Sequence, residues 1–92
     1  MWLNKYNLSY YAYVYCKNIK DIPKIRKHIT VPLHSYWYCH DVKDIPEVRK
    51  NITEEYPAFL YCFGVNNDPE VRKYIKNSYY LSQLEGLENV VK

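Results

Sequence analysis

The sequence predicts an all-α protein, a short α-solenoid of three 23-residue helix-turn-helix repeats flanked by partial capping repeats. Three observations predict it. Cys16, Cys39 and Cys62 stand 23 residues apart, as do Pro23, Pro46 and Pro69. Each of these Pro residues follows an Asp or Asn, the pairing that opens a helix. The apolar residues between successive Pro residues recur at helical spacing.

The aligned units are residues 8–30, 31–53 and 54–76, without gaps. Units one and two share 11 of 23 residues, and six positions are identical in all three. Those six are the Tyr and Cys of Tyr15-Cys16, then Pro23, Arg26, Lys27 and Ile29, with their equivalents. Ser78-Tyr79-Tyr80 repeats Ser9-Tyr10-Tyr11 after 69 residues, and Trp2 and Tyr6 fall on the positions of Ile25 and Ile29. Residues 1–7 and 77–92 therefore read as partial caps, and 1–92 as a single helical-repeat domain.

Within each unit a first helix is predicted over residues 10–18, 33–41 and 56–65. Its core positions are Ala12, Tyr15 and Ile19, then Ser35, Tyr38 and Val42, then Ala58, Tyr61 and Val65. A second, short helix is predicted over 23–29, 46–52 and 69–75. It buries Ile25 and Ile29, Val48 and Ile52, Val71 and Ile75. The Asp or Asn ahead of each Pro is the expected N-cap, and Glu47 and Glu70 suit the first turn. Two turns of helix are not stable alone, so the units must stack. The Tyr alternation of residues 10–16 also fits a strand, but no Gly turn is present to form hairpins.

Composition excludes several classes. Two Gly in 92 residues leave no Gly-rich phosphate loop. A 48% hydrophobic content with net charge +3 excludes disorder. No apolar run is long enough to span a membrane, and Met1-Trp2-Leu3-Asn4-Lys5 holds no signal core, so a cytoplasmic location is expected. Tyr is the outlier, at 12 residues.

The skeleton Tyr-Cys, six residues, Pro-Glu-Val-Arg-Lys-x-Ile resembles a tandem repeat of phage and large-virus proteins. In that repeat a Tyr-Ala helix precedes a Trp-Pro-Glu-x-Glu turn and a closing Ile. Tyr15-Cys16, Tyr38-Cys39 and Tyr61-Cys62 take the Tyr-Ala place; Ile22-Pro23, Ile45-Pro46 and Asp68-Pro69 take the Trp-Pro place. Arg26, Arg49 and Arg72 replace the second Glu. The resemblance implies a viral source, hence host-cell cytoplasm, and a helical scaffold. It brings no chemistry with it.

No catalytic set, cofactor site or metal site is expected. Equivalent residues of stacked helices lie about 8–10 Å apart, too far for three Cys to share one zinc or for two to form a disulfide. Cys here takes the place of a small residue that lets helices approach. His28, His34 and His40 add no recurring ligand pair, and His40 points about 100° away from its neighbour Cys39. The cations carry more information. All three Arg of the chain share one repeat position, where Lys would suffice for charge alone. Arg26, Arg49 and Arg72 are therefore read as a structural ladder, each fork bridging adjacent helices, with a phosphate or partner contact as the alternative. Lys27, Lys50 and Lys73 form a solvated stripe on the short helices, partly neutralised by Glu47 and Glu70.

The first helices carry aromatics outside their core stripe: Tyr10, Tyr13, Tyr36, Trp37, Phe59 and Phe63, with Tyr56 beside them. They read either as an exposed ridge, and then as the candidate partner-binding residues because exposed Tyr and Trp mark interfaces, or as an inner layer buried between the first helices. The expected function is a non-enzymatic protein-binding module docking a host protein or a second copy of itself as a homodimer. A compact viral protein without a catalytic set fits a stoichiometric inhibitor of a host defence protein such as a CRISPR nuclease. The alternatives are single-stranded nucleic-acid binding, with Lys27, Lys50 and Lys73 tracking phosphates, and a self-assembling structural protein. Mimicry of DNA is disfavoured by the positive charge.

Overall fold

The computed structural model describes residues 4–91, the side chain of Val91 excepted; the predicted register of Trp2 lies outside them. The described residues form seven helices and no strand: α1 Lys5–Asn18, α2 Pro23–Arg26, α3 Pro32–Asp41, α4 Pro46–Arg49, α5 Glu55–Gly64, α6 Pro69–Arg72 and α7 Ser78–Val91. Long helices pack side by side, α1 on α3, α3 on α5 and α5 on α7. Each of α1, α3 and α5 also packs on the short helix that follows it. The molecule is elongated, 47 × 22 × 17 Å, with a radius of gyration of 14.1 Å against about 12 Å for a round domain of this length.

Local chemistry explains the boundaries. α1 starts at Lys5, earlier than the predicted residue 10, because Asn4 caps it: its Oδ1 accepts the Asn7 amide at 2.8 Å. Asn77 caps α7, accepting the Tyr79 amide at 2.8 Å. The short helices open on Pro and continue as a tightened turn, with Ile29 N bonded to Arg26 O and Ile52 N to Arg49 O. Their caps depart from expectation. Ile22 and Ile45 hold the N-cap positions without side-chain bonds, and only Asp68 caps by side chain, to the Glu70 amide. Asp21 and Asp44 are engaged elsewhere, as described below.

The start of the next long helix is fixed by a repeated device. Ser9 Oγ accepts the amides of Thr30 and Val31, both at 3.1 Å. Two units later Glu55 Oε2 accepts those of Lys76 and Asn77, at 2.6 and 2.7 Å. The middle unit carries Pro32 at this position and has no such acceptor.

The core holds Ala12, Cys16, Ile29, Tyr38, Cys39, Val48, Ile52, Ala58, Tyr61, Cys62, Val71, Ile75 and Leu84. Of the predicted core residues, Ile25, Val42 and Val65 lie half-buried against it, Ser35 is a buried polar residue, and two fall outside it. Ile19 is 71% exposed, and Tyr15 is half-buried although its equivalents Tyr38 and Tyr61 are sealed. The reason is positional. These sites face the preceding unit, and unit one has nothing packed there among the described residues.

Candidate functional site

Asp21 and Asp44 build the junctions between units. Tyr38 Oη donates to Asp21 at 2.8 Å, and Tyr61 Oη donates to Asp44 at 2.8 Å. Arg26 Nε donates to the same Asp21 at 3.1 Å, and Arg49 Nε to Asp44 at 2.9 Å. Arg26 is the most enclosed of the three Arg. Its Nε also donates to Tyr38 Oη at 2.9 Å, and its Nη1 to Glu47 at 3.2 Å in the next unit. Burial alone would raise the Asp21 carboxyl, but the bonds from Arg26, Tyr38 and Lys43 outweigh it and hold it below the usual carboxylate range. Burial, then the bond to Asp21, pushes the Tyr38 hydroxyl up, and Tyr61 is raised the same way. Arg49 also faces Asp68 at 3.8 Å, and Arg72 pairs with Glu88 of α7.

The aromatic candidates divide into two groups. Tyr13, Tyr36 and Phe59 share one repeat position, and that position faces the next long helix. Tyr13 is buried, tilted against Trp37 at 5.6 Å between ring centroids and bonded to Asp41. Phe59 stacks on Tyr80 at 4.3 Å. Tyr36 is half-buried, with its hydroxyl beside Gly64 of α5. Tyr13 is thus a packing residue, not part of an exposed ridge. The wheel of an isolated helix places it away from the core because the wheel omits the neighbouring helix.

The second group stays open. Tyr10, Tyr56 and Tyr79 share a repeat position and are 41%, 54% and 65% exposed; half-buried Leu33 is the fourth member. Phe63 is also exposed. Half-buried Val14, Trp37 and Leu60 lie one helical turn further along. Tyr10 meets Trp37 edge-on at 6.4 Å, which joins α1 and α3 into one aromatic surface. The only Lys at these positions, Lys17, is tied to Asp41 at 3.6 Å.

Lys27, Lys50 and Lys73 are exposed on the short helices. Shallow grooves separate those helices, one lined by Arg26, Lys27, Glu47 and Lys50, the next by Arg49, Lys50, Glu70 and Lys73. Carboxylates alternate with the cations, and Lys73 already bonds Glu70 at 3.2 Å.

The nucleophile candidates are quiet. All three Cys are buried free thiols. Burial, followed by the charge of Asp44, pushes Cys39 up to about 12. Burial pushes Cys62 up to about 11 and raises Cys16 as well. A thiol in that range stays protonated and unreactive at neutral pH. Ser9 Oγ lies 2.9 Å from His34 Nδ1, a pairing the sequence gives no sign of. Both residues are fully enclosed, and the Ser9 oxygen is already taken by two amides, so no substrate can approach it. The described residues contain no cluster of His, Cys, Asp and Glu able to hold a metal, and no described helix is long and apolar enough to cross a membrane.

The Asp–Tyr pairing carries a signature in the sequence. Asp21/Tyr38 and Asp44/Tyr61 become Asn67/Leu84 in the third unit, so both members change together. The chain matches no protein-family model, no curated protein and no solved structure.

Proposed function

We propose that this protein is a non-enzymatic helical-repeat module of the α-solenoid type that docks a protein partner through the outer face of its long helices. The observation that carries the reading is the column Tyr10, Tyr56 and Tyr79, exposed at one repeat position. Exposed Tyr rings bury area on binding at little entropic cost. Phe63, Trp37 and Leu60 extend the face. Its single Lys is already paired, so phosphates would find little charge there, and a protein surface is the better match. The resemblance to viral repeats makes a host protein the natural partner, and inhibition of a defence nuclease is one role such docking would serve.

The test compares quantitative capture from host lysate by three proteins: wild type, the Tyr56→Ser/Tyr79→Ser variant, and the Lys27→Ala/Lys50→Ala/Lys73→Ala variant. The aromatic variant is expected to keep its helical circular dichroism and lose the captured protein at least tenfold. The Lys variant should retain it. The reverse pattern, or capture abolished by nuclease treatment, would make the short-helix face a nucleic-acid surface and overturn the reading.

A further inference from the structure

The Arg ladder has one open rung. Arg26 Nη1 crosses to Glu47 of the next unit at 3.2 Å, and Arg72 Nη1 bonds Glu88 of α7. Glu70 stands one period after Glu47, where the same bond would reach back to Arg49. Its carboxylate instead accepts from Lys73 of its own unit at 3.2 Å. Arg49 Nη1 is left 3.8 Å from Asp68 Oδ2, an ion pair too long for a hydrogen bond. The Nε bond to Asp44 anchors the guanidinium, so the rest of the fork is fixed at the wall of the groove between α4 and α6.

That groove is the wider of two equivalents. It encloses about 370 Å³, against about 190 Å³ between α2 and α4, where the Arg26–Glu47 bond crosses. Small-molecule sites run from roughly 300 to 1,000 Å³. Ile52, Val71 and Tyr74 give the groove an apolar side. Of its cations, Lys73 is tied to Glu70 and Arg49 to Asp44, whereas Lys50 has no ion pair among the described residues. One unpaired ammonium therefore stands next to one unbonded guanidinium edge. Asp68 and Glu70 also line the walls, so a doubly charged phosphate would meet repulsion; a single negative charge is what the groove can take.

We propose that the groove between α4 and α6 binds a monocarboxylate carried on an apolar group. The carboxylate takes the place that Glu47 holds on Arg26: it accepts from the free edge of the Arg49 fork and neutralises Lys50. The apolar group lies against Ile52, Val71 and the Tyr74 ring. A free organic acid and the last residue of a peptide with an apolar side chain share this chemistry. The site lies on the short helices, apart from the Tyr10, Tyr56 and Tyr79 column, and does not depend on it.

The probes are phenylpropionate, its neutral amide and acetate, each titrated into isotope-labelled protein and followed by backbone amide shifts. Phenylpropionate is expected to give saturable shifts at Lys50, Val71 and Tyr74, in the millimolar range that about ten heavy atoms reach in an open groove. Both controls should bind at least about tenfold more weakly. Lys50→Ala and Arg49→Lys should each keep the helical circular dichroism and weaken binding about fivefold or more. Glu70→Gln should bind at least as tightly as the wild type. A peptide ending in Phe, its C-terminus free or amidated, distinguishes the sources. Tighter binding of the free form than of phenylpropionate marks a chain terminus as the ligand, and weaker binding marks a free acid. Absence of saturable shifts with phenylpropionate, equal binding of its amide, or unchanged binding in Lys50→Ala and Arg49→Lys would overturn the proposal. So would binding that arises only in Glu70→Gln, because Glu70 would then already close the rung on Arg49.

Discussion

Tyr38 and Asp21 stand 17 residues apart in sequence and share a bifurcated bond, the hydroxyl lying 2.9 and 2.8 Å from the two carboxylate oxygens. Tyr61 and Asp44 repeat the relationship at the next junction. A sealed Tyr needs a partner for its hydroxyl, and a partly buried carboxylate needs donors. Each answers the other across the boundary between units, and Arg neutralises the pair.

The pairing predicts a coupling energy. Asp44→Asn and Tyr61→Phe should each cost about 1–3 kcal/mol, because each leaves the other group short of a partner. The double variant should cost less than their sum, by about 1 kcal/mol or more. Urea denaturation of the four proteins measures it. Additive costs would mean that the two side chains are energetically independent.

The Arg ladder predicts a ranking. Arg26 meets Asp21, Tyr38 and Glu47, whereas Arg49 bonds Asp44 and lies farther from Asp68. Lys keeps the charge but cannot serve several partners from one planar fork. Arg26→Lys should therefore cost more than Arg49→Lys, with about 1–2 kcal/mol for the former. Exposed Lys50→Ala should stay within about 0.5 kcal/mol. Thermal melts of the three variants would refute the ladder if all shifts were equal.

His34 predicts acid sensitivity well above the carboxylate range. Ser9 accepts two amides, so its proton points to His34 Nδ1; the imidazole proton then lies on Nε2, which has no hydrogen-bond partner. Burial lowers its pKa below 6.5. The folded state thus resists protonation that the unfolded state accepts. Stability is full above pH 6.5 and falls as the pH drops below it, by at most about 1.4 kcal/mol per pH unit. Asp21 and Asp41, both held below the usual range, add a second loss at lower pH as they protonate. His34→Gln should flatten the first loss and leave the second. An unchanged profile between pH 7.5 and 5.5 would show that His34 does not titrate on unfolding.

The thiols predict slow modification. With Cys39 and Cys62 raised to about 12 and 11 and all three side chains buried, a thiol reagent at pH 8 should react at the rate of unfolding. In denaturant all three should react at once. A fast single-site phase in the native protein would identify an accessible thiolate.

The sequence by itself determined the period and the helices, although α1 starts at Lys5, ahead of the predicted residue 10. Pro23, Pro46 and Pro69 set the short helices through a fixed φ, and the polar residues at Asn4 and Asn77 set the ends of α1 and α7; these are local effects, legible in a single chain. It also held the Asp–Tyr signal, since Asn67 and Leu84 change together. The tertiary structure decided which face of each long helix is open. A helical wheel has one core direction, but α3 has three: toward α4, toward α1 and toward α5. Tyr13 and Phe59 went inward because a neighbouring helix covers them, while Ile19 stayed out because none does. Burial is a property of what stands opposite a side chain, and for residues 23 positions apart with the same chemistry, only the assembled stack supplies that difference.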